Sequence, residues 1–213
     1  MLLCIILGHL DTTMEINNFN LASNYLNSDV DMGYLVYVHV RDKDHENFDP
    51  TKYPADITYT IGTPKPKIIP EFLVVTSPED LLEKEEHLIG VANEWGGRIY
   101  LGYRPILLND VDRESFESLY IACKYADGLY YSLVDIDYKC NKKRLDRYRT
   151  VISRALEPTG GKIWYTIDTP NGHHIVTDPF FTLSFYKVSG KYPRKQNHVI
   201  RNCPELIYYN NNE

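Results

Sequence analysis

Leu133-Val134-Asp135-Ile136-Asp137 is followed by Lys162-Ile163-Trp164-Tyr165-Thr166-Ile167-Asp168-Thr169-Pro170-Asn171-Gly172-His173-His174-Ile175-Val176. The first run is apolar with acids at i and i+2. A strand turns successive side chains to opposite faces, so Asp135 and Asp137 share one face about 6.5–7 Å apart. The second run reads as strand, tight turn, strand. Pro170 sets φ at the first turn position, and Asn171 and Gly172 tolerate the positive φ that can follow. Between the two runs Asn141 is placed to cap a helix. Its Leu145, Tyr148, Ile152 and Ala155 face inward, with Lys142, Lys143, Arg147 and Arg154 outward or on its flanks. Thirty-seven residues separate Asp137 from His174, enough for one helix and one returning strand, so acids and imidazoles can lie side by side.

Toward the N-terminus, Tyr34-Leu35-Val36-Tyr37-Val38-His39-Val40 reads as a strand. The charged stretch Arg41-Asp42-Lys43-Asp44-His45-Glu46 reads as a solvated loop rather than a metal loop. Residues 57–61 form a second short strand, and Pro64 and Pro66 then break any helix or central strand. Phe72-Leu73-Val74-Val75 is a buried type of strand. Ser77 caps the next helix, with Pro78, Glu79 and Asp80 in its first turn and Gly96-Gly97 at its end. In the strand that follows, Arg98, Tyr100, Gly102 and Arg104 share a face. That pattern suits either phosphate and base contacts or salt bridges at a sheet surface. Asp112 is the expected cap of a helix carrying Phe116, Leu119, Tyr120 and Cys123. Beyond the hairpin, residues 180–188 fit a strand or a short helix, residues 189–195 a basic loop, and Leu206-Ile207-Tyr208 a last strand before an Asn-rich tail.

From Phe72 onward the order is β-α-β-α-β-α-β-β, which predicts an α/β or α+β protein with a mixed β-sheet flanked by helices. Residues 1–68 are expected to pack on the core as a small N-terminal β embellishment, residues 69–209 to form the core, and 210–213 a tail. Hydrophobic content of 43% is enough for a core across 213 residues. The net charge of −6 is uneven: residues 129–201 hold thirteen Lys/Arg against six Asp/Glu. A basic half around an acidic pair suits a phosphate-bearing ligand that meets a metal at the carboxylates. The four cysteines form no CxxC pair, which fits a reducing compartment and indicates neither zinc nor disulfides. The opening apolar residues 1–7 are too few for a membrane span and carry no basic leader, so no membrane association is expected. Those residues read as a strand or a tail, with Met14 an alternative start.

Asp135-Ile136-Asp137 with Thr169-Pro170-Asn171-Gly172-His173-His174 resembles the first two motifs of the archaeo-eukaryotic primase superfamily, an hhhDhD strand and a later S/T-x-x-G-x-H hairpin. That resemblance implies a primase-like core related to the RRM fold. It makes Asp135 and Asp137 metal ligands for Mg or Mn, with His174 on nucleotide phosphate and Thr169 beside it. Arg98, Arg104, Gly172 and His173 are further candidates for phosphate. The superfamily's third acid lies on a later strand; Asp178 and Glu205 are the candidates here, with Asp178 taken as the third ligand. Its zinc-binding element is absent. The wider chain, over residues 34–209, is similar to small proteins of tailed bacteriophages, which implies a place in the host cytoplasm.

Three functions follow as expectations. One is a phage-encoded primase-like nucleotidyltransferase or nucleic-acid-processing enzyme, in which the metal activates a hydroxyl and braces phosphates. Another is a non-catalytic binder of nucleotide, nucleic acid or a host or phage protein, such as an antagonist of host defence. The third is a metal-dependent nuclease using the same residues.

Overall fold

The computed structural model describes residues 14–61, 65–125, 130–155, 159–188 and 197–211. The opening apolar run and the whole of the basic loop at 189–195 lie outside the described residues. Among the described residues eleven strands and six α-helices, numbered along the chain, make an α+β protein, as the element order implies. The strands form two antiparallel sheets, not one mixed sheet.

The smaller sheet runs in the order β10 (Asn197–Arg201), β7 (Ser132–Ile136), β9 (His173–Thr177), β8 (Ile163–Asp168). Helix α5 (Lys142–Ser153) links β7 to β8, and α6 (Leu183–Val188) links β9 to β10. This is a β-α-β-β-α-β unit with spatial order 4-1-3-2, the split β-α-β arrangement of RRM-like and ferredoxin-like folds. The RRM-like core is therefore confined to residues 132–201. Its local signals are direct: the Asn141 side chain accepts from the Arg144 N–H at 3.0 Å, starting α5. Val134, Ile136 and Ile175 point to one face, where Tyr148, Ile152 and Phe185 of the two helices cover them. By strand alternation Leu133, Asp135, His174 and Val176 point to the other.

The larger sheet runs β1 (Met14–Asn17), β11 (Glu205–Asn211), β5 (Arg98–Leu101), β2 (Met32–Val40), β4 (Lys67–Val75), β3 (Thr58–Tyr59), and β6 (Ile106–Leu107) also pairs with β2. Far from being an embellishment, the N-terminal segment supplies the central strand β2. Its continuous Tyr-Leu-Val run explains the position, because both faces are buried. Val36 and Val38 pack with Leu88 and Ala92 of α3 (Glu85–Trp95), whereas Leu35 and Tyr37 pack with Phe116 and Tyr120 of α4 (Phe116–Tyr125). Pro70 sits within β4 where the register with β2 slips between Val38 and Val40, a place where a missing N–H is tolerated.

Ser77 caps α2 (Pro78–Glu83) as expected, its Oγ accepting from the Asp80 N–H at 3.1 Å, and Gly96 ends α3 with φ 61. Ser115, not Asp112, accepts from the Ser118 N–H in the first turn of α4; Asp112 closes the preceding turn on Glu114 N–H. Residues 183–188 resolve the strand-or-helix choice as helix. The two sheets share one apolar cluster, in which Leu133, Tyr165 and Val176 of the smaller meet Val36, Leu101 and Ile207 of the larger.

Candidate functional site

Asp135 lies directly across the ladder from His174, and both side chains leave the small sheet toward the large one. His174 Nε2 stands 3.3 Å from Asp135 Oδ1, and its Nδ1 2.7 Å from Glu205 Oε1. Glu205 opens β11 and is fully buried, so one imidazole joins carboxylates of the two sheets. Burial works against protonation of His174. The Glu205 charge and the ring's hydrogen bonds to Asp135 and Glu205 outweigh it and raise the pKa to about 10. At neutral pH the ring is therefore an imidazolium donating through both nitrogens. The second oxygen of Glu205, Oε2, is buried with no hydrogen-bond partner among the described residues.

A cavity of ≈ 240 Å³ opens between the sheets. On the small-sheet side it is lined by Asp135, Asp137, His174 and the turn residues Thr169, Pro170 and Asn171. Facing them are His39, Arg41, Lys43, Arg98 and Tyr100. Two carboxylates one strand repeat apart thus look across at three cations and an aromatic shelf. Arg41 donates to the Tyr100 hydroxyl at 3.2 Å, and Tyr100 stacks on Tyr37 with ring centroids 5.5 Å apart. Burial, then the charges of Lys67 and Arg41, push the His39 pKa down to about 3, so its imidazole is neutral. Burial, then Arg41 and Arg98, lower the pKa of Lys43.

Arg98 is less free than the strand pattern implies. Asp44 grips it bidentately, with both N–H···O distances 2.6 Å, and its guanidinium lies 4.2 Å over the Tyr209 ring. Other candidates lie elsewhere. Arg104 is buried beyond the end of β5 and stacks over Tyr130, outside the cavity lining. His173 is turned away by strand alternation and meets Asp168 at 2.7 Å and the Cys140 carbonyl at 3.3 Å. Gly172 serves the turn itself: its N–H is donated to Thr169 Oγ1 at 3.0 Å, and a Cβ there would stand 1.8 Å from the Ile136 carbonyl oxygen. Asp178 follows the far end of β9 and accepts from Trp164 Nε1 at 2.8 Å, so it does not join the acid pair. Glu205 comes nearer, through His174.

Three lining residues escape the sequence reading. His39, Arg41 and Lys43 come from the end of β2 and the charged stretch after it. That stretch reads as solvated, yet it supplies two of the three cavity cations, Arg41 and Lys43, and the Asp44 partner of the third, Arg98. Alternation along residues 37–41 was the available signal, since it places Tyr37, His39 and Arg41 on one face.

Among the described residues no three His, Cys, Asp or Glu side chains are grouped to hold an ion. Asp135 and Asp137 offer oxygen donors, the kind that Mg or Mn takes, and Mg is commonly held by one or two carboxylates completed by ligand phosphates and water. The donor set fits an ion that arrives with its phosphates. No family model, curated protein or solved structure matches the chain. Among the described residues no helix is long and apolar enough to cross a membrane.

Proposed function

We propose that the cleft between the sheets binds the phosphates of a nucleotide or nucleic-acid end together with Mg or Mn, and carries out nucleotidyl or phosphoryl transfer. The observation that carries this reading is the convergence of Asp135, Asp137 and His174 with Arg41 and Lys43 on one cavity. Asp135 and Asp137 would hold the ion, which neutralises phosphate charge and lowers the pKa of an attacking hydroxyl. Arg41 and Lys43 take phosphate oxygens from the opposite wall. Held from behind by Glu205, His174 fixes the Asp135 carboxylate. His39, neutral, presents one donor and one acceptor to the ligand. The test is template-directed primer synthesis and extension with Mg or Mn, alongside cleavage of labelled single strands. Product must disappear in Asp135→Asn and Asp137→Asn; activity that survives both substitutions rejects the mechanism.

A second reading, binding without chemistry, draws support from the same geometry. His174 already occupies one Asp135 oxygen, and Asp178 is remote from the pair. Calorimetry distinguishes the two: nucleotide affinity unchanged by a chelator, with no turnover, favours the binder.

A further inference from the structure

The outer face of α5 is separate from the cleft, because α5 covers the opposite face of the small sheet from Asp135 and His174. Within this helix and its C-cap, Lys142, Lys143, Arg147, Arg149 and Arg154 are all exposed, with Asp146 the one acid among them. Lys143, Arg147 and Arg154 recur at i, i+4 and i+11, which stacks them in one stripe about 16 Å long. None of these five makes a side-chain hydrogen bond or ion pair with a described residue. Like charges at i, i+4 disfavour a helix, and among the described residues of α5 Asp146 is the one acid set against these cations, so the stripe carries a local cost of folding. It also lies in a chain of net charge −6.

We infer that this stripe is a docking surface for the phosphate backbone of a nucleic acid. The chemistry of the face selects that partner over other polyanions. A helix that lies on an anionic membrane needs apolar side chains free to insert, and those of α5 (Tyr148, Ile152 and half-buried Leu145) are packed against the small sheet. A protein partner would want an exposed aromatic or aliphatic centre inside the charged rim. Between the cations stand Asp146, Thr150 and Ser153, and the one apolar neighbour, Val151, is half-buried against the small sheet. Regularly spaced cations without an exposed apolar centre are what backbone contacts require, and such contacts position a strand without reading its bases.

The test is fluorescence anisotropy of the full chain with a labelled single-stranded oligothymidylate, titrated over a range of salt. Each phosphate contact contributes about 0.7 to the slope of log K against log salt for single strands. Replacing all three stripe residues (K143Q, R147Q, R154Q) should lower the slope magnitude by about 2. Far-ultraviolet circular dichroism verifies that the helix persists, and if the triple variant does not fold, each single variant should lower the slope by about 0.7. The inference is overturned by a wild-type chain that does not bind the strand, or by a slope that the substitutions leave unchanged. It is equally overturned if they abolish binding to phosphatidylserine vesicles but not to the strand. The three substitutions leave every cleft residue in place, so their effect on the slope and the loss of product in D135N and D137N report on the two surfaces separately.

Discussion

His174 Nδ1 donates to Glu205 Oε1 at 2.7 Å, and this contact ties the RRM-like sheet to the seven-stranded one at the edge of the cleft. Replacing Glu205 by Ala leaves a buried imidazolium facing Asp135 alone. Breaking a buried ion pair costs about 3–5 kcal/mol, and urea denaturation of Glu205→Ala should show a loss of that order. A loss below about 1 kcal/mol, the scale of exposed pairs, would mean that the contact contributes nothing to joining the sheets.

The two cleft histidines should titrate in opposite directions from the ordinary value of 6.5. His174 is raised to about 10, so its contribution to stability is complete below pH 6.5 and is lost as pH rises toward 10. His39 is lowered to about 3, so its contribution is complete above pH 6.5 and is lost as pH falls toward 3. Two-dimensional NMR of the ring nitrogens at pH 7 should find His174 protonated on both and His39 on one. The reverse pattern would contradict the geometry of both walls.

Asp44 and Asp42 are neighbours with unequal roles. Asp44 faces Arg98 with both side chains nearly buried, at 9% and 6% exposure, whereas Asp42 meets Lys65 with 53% and 81% exposed. Asp44→Asn should cost about 3–5 kcal/mol by leaving a buried guanidinium uncompensated. Asp42→Asn should cost at most about 1 kcal/mol. Thermal melts of the two variants side by side check the ranking.

Gly172 is needed for space. A methyl at that position would drive into the backbone of Ile136 and Tyr138, neither of which can swing away. Gly172→Ala should destabilise by about 1–3 kcal/mol or more and shift the amide resonances of residues 136–138 beside Asp137. Wild-type stability with unmoved resonances would show that the hairpin does not press on the end of β7.

What was legible in the sequence was local. The Ser77 and Asn141 caps, the hairpin around Pro170 and the facing of Asp135 all depend on spacing within a few residues, and each appears in the structure. The α+β class also followed from element order, and the β-α-β-β order of the small sheet lay in one stretch. The partition into two sheets did not, because which strands pair is fixed by burial across the whole chain. β2 illustrates this: its unbroken apolar run marks a central strand, but its neighbours β4, β5 and β6 lie well beyond it. Glu205 was legible only as one of two late acids, since nothing near it in sequence indicates His174. Charge was the weakest signal. Residues 41–46 look like any solvated loop until the fold turns Arg41 and Lys43 into the cleft and Asp44 onto Arg98.

Manganese broadening of NMR signals tests the cleft most directly. With a nucleoside triphosphate present, Mn should selectively broaden resonances of Asp135, Asp137, His174 and Lys43, and Asp135→Asn with Asp137→Asn should abolish the effect. Without nucleotide the broadening should be weak, because the two carboxylates supply only part of an ion's coordination. Broadening centred on another surface, or none at saturating nucleotide, would contradict a metal-assisted phosphate site between the sheets.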